Sequence, residues 1–135
     1  MNCKIKENNE EKMYKAASDF LNLSLDSEEI TAIDINDIKF VLKDSKSVIM
    51  VMGEDENLSK AFTQAIDKEP DIKNAMFLLI QIAYSNKNPL TTGNMARFNE
   101  ICKNEFKECD CIRRGETTDE TLNKNRKVSI IASFK

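Results

Sequence analysis

Residues 47–53 read SVIMVMG, and this run decides the fold class. The apolar residues between Ser47 and Gly53 are too few for a buried helix, and they are typical of a strand covered on both faces. A second such run, AMFLLIQIA, occupies residues 75–83. Between them, residues 57–68 carry apolar side chains at helical spacing. The central part of the chain is therefore predicted to be strand, helix, strand.

The same patterns extend outward in both directions. Downstream they predict a helix over residues 91–107 and strands over 109–115 and 126–134. In the last strand Val128, Ile130, Ala132 and Phe134 alternate with Ser129, Ile131 and Ser133. The final two strands could pair as an antiparallel hairpin. Upstream they predict a helix from Glu10 to near Leu25 and a second one that begins after Asp34.

Together these elements predict an α+β fold, with a four-stranded mixed sheet covered by helices. The four strands are residues 47–53, 75–84, 109–115 and 126–134. The helices near residues 57–68 and 91–107 are expected on one face of this sheet. We expect a single domain over residues 10–135 and a disordered N-terminus over residues 1–9, which are polar and charged.

Composition narrows the possible partners. The chain has 135 residues, a net charge of −3 and no histidine. Weak acidity disfavours nucleic acid and anionic membrane as partners, since both attract clustered lysine and arginine. No apolar run approaches the length that spans a bilayer, and no secretory signal is visible at the start of the sequence. We expect a cytoplasmic protein that binds neither nucleic acid nor membrane.

The four cysteines are the only candidate metal ligands of note. Cys102, Cys109 and Cys111 lie close together in sequence, and Cys3 lies apart. Their spacing lacks the paired C-x-x-C unit of zinc sites, and no histidine is present to complete a site. We therefore expect free, reduced thiols and no bound metal, with Cys102 as a small buried side chain on an apolar helix stripe.

Nucleotide and catalytic motifs are missing. The three glycines, Gly53, Gly93 and Gly115, are scattered, so no glycine-rich loop can cradle phosphates. A Ser-His-Asp or Cys-His arrangement is impossible without histidine. These residues predict no enzyme activity and no cofactor for the isolated chain.

Taken in order, the segments resemble the second, C-terminal half of FtsZ, the bacterial tubulin homologue. The most specific feature is the D-x-x-D of Asp34 and Asp37, which stands where that family has its synergy loop. Matching order and spacing of all segments carry more weight than any one of them. The resembling segments are ITAIDINDIKFVL (30–42), SVIMVMGE (47–54), FLLIQIAYS (77–85), CDCIRRG (109–115) and KVSIIASF (127–134).

The resemblance implies a role for the segment around these two aspartates. In FtsZ the synergy loop inserts two acidic residues near the GTP of the neighbouring subunit, and by position these are Asp34 and Asp37. They would act in trans by orienting water beside the γ-phosphate. The residues alone favour a plainer interpretation, in which Asp34 is only an N-cap and Asp37 only a favourable charge on the helix dipole. The two interpretations are compatible. The implied interaction segment is Ala32, Ile33, Asp34, Ile35, Asn36 and Asp37.

The sequence differs from the family at several positions of this segment. Ala32 replaces a usual Asn, and Ile35 and Asn36 replace an aromatic residue and Ala. The GTPase domain and the flexible tail of FtsZ have no counterpart in the sequence. The resemblance therefore implies a non-catalytic interaction domain that docks on the nucleotide face of an FtsZ-like subunit and modulates or caps polymers. The alternative is a self-associating or small-ligand-binding domain that kept only the fold.

Overall fold

A computed structural model describes residues 3–5, 10–21 and 33–135 of the chain. In these ranges helices and strands alternate much as the sequence predicts. Two short 3-10 helices, Pro70–Asn74 and Glu120–Leu122, connect larger elements. The predicted end of the first helix near Leu25 lies outside the described residues. The elements are β1 (Cys3–Ile5), α1 (Glu10–Phe20), α2 (Ile35–Leu42), β2 (Ser47–Asp55), α3 (Leu58–Lys68), β3 (Phe77–Tyr84), α4 (Thr92–Glu105), β4 (Cys111–Thr118) and β5 (Arg126–Phe134).

The strands form one mixed sheet in the order β1-β2-β5-β3-β4. β3 and β4 are parallel, with Leu79 opposite Arg113, and the remaining neighbours are antiparallel. The α+β class and the mixed sheet are thereby confirmed.

The possible hairpin between the last two strands is wrong. β5 lies between β2 and β3, and β4 pairs with β3 instead. Burial explains why these two strands do not pair, because β5 is buried along almost its whole length and β4 is largely exposed. A strand buried on both faces belongs in the middle of a sheet, and a polar one at its edge.

Residues 1–9 were expected to be disordered, and this is wrong for Cys3–Ile5. These residues form a fifth strand, antiparallel to β2, with Cys3 opposite Met50 and Ile5 opposite Val48. Without β1, the outer edge of β2 would have unpaired backbone groups beside an apolar strand. Pairing them with a short segment removes that cost. The prediction of one domain over residues 10–135 stays a prediction.

Alternate side chains of the sheet build a core on each face. On one face Val51, Ile80 and Ile130 pack with Phe62 of α3 and Phe98 of α4. This confirms that the helices near residues 57–68 and 91–107 share one face. The opposite core joins α1 and α2 to the sheet, and its members include Met13, Ile38, Val48, Met50, Leu79 and Ile131. The sheet is therefore covered by helices on both sides.

Two local features fix α3 and α4 in place. Gly53 of β2 lies so close to α3 that an added Cβ would be 2.0 Å from the carbonyl oxygen of Ala61. The rings of Phe62 and Phe98 stack with their centroids 4.5 Å apart, and Phe106 completes the group. Within the described ranges, no helix is both long and apolar enough to cross a membrane.

Candidate functional site

The predicted interaction segment forms the turn that starts α2. Asp34 has an extended backbone, and its Oδ1 accepts hydrogen bonds from the backbone N–H groups of Asn36 (2.9 Å) and Asp37 (3.1 Å). In return, the Asp34 N–H donates to Oδ2 of Asp37 at 3.1 Å. This reciprocal capping box satisfies three of the backbone donors that a helix start leaves open. The predicted N-cap role of Asp34 is confirmed.

The described residues of the segment lie partly in the core and partly on the surface. Ile33 is buried in the core under α2, so it anchors the turn, whereas Asp34, Ile35 and Asn36 are exposed. Ala32 lies outside the described residues. The segment therefore presents a carboxylate, an amide and an apolar side chain on a fixed backbone.

An arginine that sequence reasoning missed completes the site. Arg113 of β4 donates through its Nη1 to Oδ1 of Asp37 at 3.2 Å, and its guanidinium lies 4.2 Å from the ring centre of Phe40. Phe40 in turn packs on Phe77, with ring centroids 5.6 Å apart. The ion pair of Asp37 and Arg113 is partly exposed, which limits its contribution to stability to about 0.2–1 kcal/mol.

A lysine continues this row of side chains. The Nζ of Lys135 lies 4.6 Å from the ring centre of Phe77 and donates to the carbonyl of Val41 at 2.8 Å and to that of Lys43. These carbonyls belong to the open end of α2, where a cation is favourable. The turn, Phe40, Arg113 and Lys135 thus tie α2 to the sheet at both ends.

The sequence alone does not show which of the two arginines of β4 contacts α2. Alternation along β4 places Arg113 and Arg114 on opposite faces, since Arg114 lies over Phe98 and donates to Asn99. Choosing which of them meets α2 requires the parallel pairing of β4 with β3, and that pairing is not visible in the sequence.

Chemically, the turn can accept hydrogen bonds and can orient water or a donor of a partner. The three glycines of the chain all lie within regular elements, namely β2, α4 and β4. No glycine-rich phosphate loop therefore accompanies the carboxylates.

Cys102 of α4 and Cys109 pack against the core on the opposite face of the sheet from the turn. Burial raises the pKa of the Cys102 thiol to about 11, and burial likewise raises the pKa of Cys109. The Cys109 thiol donates to the carbonyls of Met76 (3.2 Å) and Cys111 (3.1 Å). Among the described residues, no group of three or more potential ligands could hold a metal ion.

An open groove lies beside Cys102, between α4 and the edge strand β4. Its volume is about 760 Å³, and Phe106 and Ile112 provide its apolar walls. Ile112 is 38% exposed, so this wall faces solvent.

Comparison with known proteins shows which solved structures share this fold. No protein-family model and no curated protein matches the chain. Solved structures do match, and they belong to the FtsZ-like and tubulin-like class of proteins. The fold and the resemblance predicted from the sequence are thereby confirmed.

Three of these structures define the extent of the similarity. An FtsZ dimer from M. jannaschii matches with a TM-score of 0.63 and 20% identity, over 79% of this chain and 32% of that one. TubZ of Bacillus thuringiensis serovar israelensis, in GDP-form protofilaments, gives 0.60 and 10%, over 79% and 30%. CetZ from Methanosaeta thermophila gives 0.53 and 13%, over 92% and 35%. The chain thus spans about a third of the length of the proteins whose fold it shares.

Proposed function

We propose that this chain is a non-catalytic interaction domain that docks on the nucleotide face of an FtsZ-like subunit through the turn at the start of α2. Docking there would cap or otherwise modulate the partner's polymer. The observation that carries the proposal is the turn itself. By the resemblance to FtsZ, Asp34 and Asp37 correspond to the synergy-loop aspartates, and the capping box holds both at the start of α2, with Asp34 exposed.

The fold supports the proposal in a second way. The similar structures include an FtsZ dimer and TubZ protofilaments, in which subunits of this class contact each other. A domain that carries the receiving surface but no phosphate loop can occupy a filament end without binding the next subunit. Growth would then stop at that end.

The direct test measures polymer formation by the FtsZ of the same host. Adding the chain in several-fold excess should reduce sedimented polymer in the presence of GTP. The matched control is the variant with Asp34→Lys and Asp37→Lys, which reverses both charges and should lose the effect. Removing the cap costs the fold about 1 kcal/mol, so circular dichroism must confirm that the variant is folded. Unchanged polymer mass and GTP turnover with the wild-type chain would refute the capping function.

Self-association is the second candidate. It is favoured by the same two structures, because the FtsZ dimer and the TubZ protofilaments are assemblies of one kind of chain. Analytical ultracentrifugation of the chain alone distinguishes the candidates. A concentration-dependent rise in mass without any added partner would favour self-association.

A further inference from the structure

The two aspartates of the turn have different hydrogen-bonding states. Both carboxylate oxygens of Asp37 are engaged, since Oδ1 accepts from Arg113 and Oδ2 accepts from the Asp34 N–H. Asp34 uses only Oδ1, which accepts from Asn36 and Asp37. Its Oδ2 accepts no hydrogen bond from any residue that the structure describes. With respect to residues 3–5, 10–21 and 33–135, one oxygen of the pair therefore has no hydrogen-bond donor, and it belongs to Asp34.

Arg113 is held in position from two sides. Its guanidinium lies over the exposed ring of Phe40, and its backbone is fixed by the parallel pairing of β4 with Leu79 of β3. Stacking on an aromatic ring leaves the edge of a guanidinium free to bind a carboxylate. The ion pair therefore connects the start of α2 to the edge of the sheet.

The geometry points to Arg113 as a positioning residue that assigns separate roles to the two aspartates. It holds Asp37 against α2, so that Asp34 is the carboxylate presented to the docked partner. This inference rests on the proposed function and deepens it.

Hydrogen bonding supports this division of roles. Without Arg113, Oδ1 of Asp37 would have no hydrogen-bond donor among the described residues, so its carboxylate would be held less firmly in the capping box. The backbone that carries Asp34 depends on this capping box for its geometry. Removal of Arg113 should therefore weaken docking, although the side chain itself need not touch the partner.

The test compares Arg113→Gln with Arg114→Gln in the polymer assay. The two variants remove the same charge from adjacent positions of one strand, but Arg114 lies on the opposite face. We expect Arg113→Gln to raise the concentration needed for half-maximal polymer loss about two- to fivefold, and Arg114→Gln to leave it unchanged. Asp37→Asn is a second way to remove the ion pair, and adding it to Arg113→Gln should cost nothing further.

Each outcome of this comparison bears on the inference. A wild-type chain without effect on polymer would overturn the proposed function and the inference together. A wild-type effect that survives in Arg113→Gln would overturn the inference alone. So would an equal loss in both arginine variants, because it would indicate a general charge effect. Melting temperatures within a few degrees of wild type in the weakened variants would separate docking from folding.

Discussion

At the scale of single residues, Gly53 is the position least able to accept a side chain. A Cβ there would lie 2.0 Å from the Ala61 oxygen and 2.9 Å from the Ala65 nitrogen, both of them backbone atoms of α3. We expect Gly53→Ala to lower the free energy of unfolding by about 3 kcal/mol, because the helix must move away from β2.

Gly93 provides the matched control for that substitution. Its added Cβ would meet only the Thr91 hydroxyl, at 3.8 Å, and its position within α4 suits alanine. Gly93→Ala should leave stability unchanged or raise it by about 0.5–1 kcal/mol. Urea unfolding of both variants measures the difference. Equal stabilities would contradict the close approach of α3 to β2.

Cys102 gives a pH-dependent prediction. Its raised pKa means that the folded state holds the thiol proton more tightly than the unfolded state does. This contribution is complete below the ordinary pKa of 9.0 and is lost as pH rises towards about 11. The stability of the wild type relative to Cys102→Ala should therefore fall across this window, by about 1 kcal/mol after allowance for partial exposure. Urea unfolding at pH 8 and pH 10.5 tests this, and a constant difference would contradict it.

At the scale of elements, α4 depends on one side chain. Phe98 is the only buried residue within this helix, and it stacks on Phe62. We expect Phe98→Ala to cost about 3–5 kcal/mol, since it removes the contact that holds α4 on the sheet. Ile101→Ala, at a half-buried position of the same helix, is the control and should cost less. Thermal unfolding measures both, and equal losses would place the anchor of α4 elsewhere.

Helices and strand positions were visible in the sequence, but their arrangement was only partly so. β2 and β3 are uninterrupted apolar runs, and the caps Asp34 and Thr91 are local signals. The insertion of β5 between β2 and β3 is a long-range pairing that no local pattern encodes. The ion pair of Arg113 with Asp37 joins residues 76 positions apart and was invisible for the same reason. The local pattern thus identified Asp34 as a cap, the resemblance pointed to both aspartates as a site, and only the fold revealed the partner of Asp37.

At the scale of the whole molecule, the starts of α2, α3 and α4 are already occupied by the chain's own side chains. Asp34, Asn57 and Thr91 cap α2, α3 and α4 by accepting hydrogen bonds from their first-turn N–H groups. A phosphate at a helix start needs those same donors. These three helices therefore offer phosphate neither a glycine-rich loop nor an open helix start.

The lack of these two kinds of phosphate site at α2, α3 and α4 predicts that the isolated chain binds no GTP. Isothermal calorimetry of the chain with GTP and Mg²⁺ should give only heats of dilution at protein concentrations that detect micromolar affinity. The host's FtsZ in the same buffer is the positive control, and phosphate release should be absent for the chain alone. Saturable binding would mean that a phosphate site exists which uses neither a glycine-rich loop nor these helix starts. In a mixture with FtsZ, any change in GTP turnover would then have two possible sources. Absence of binding leaves one source, the nucleotide of the partner.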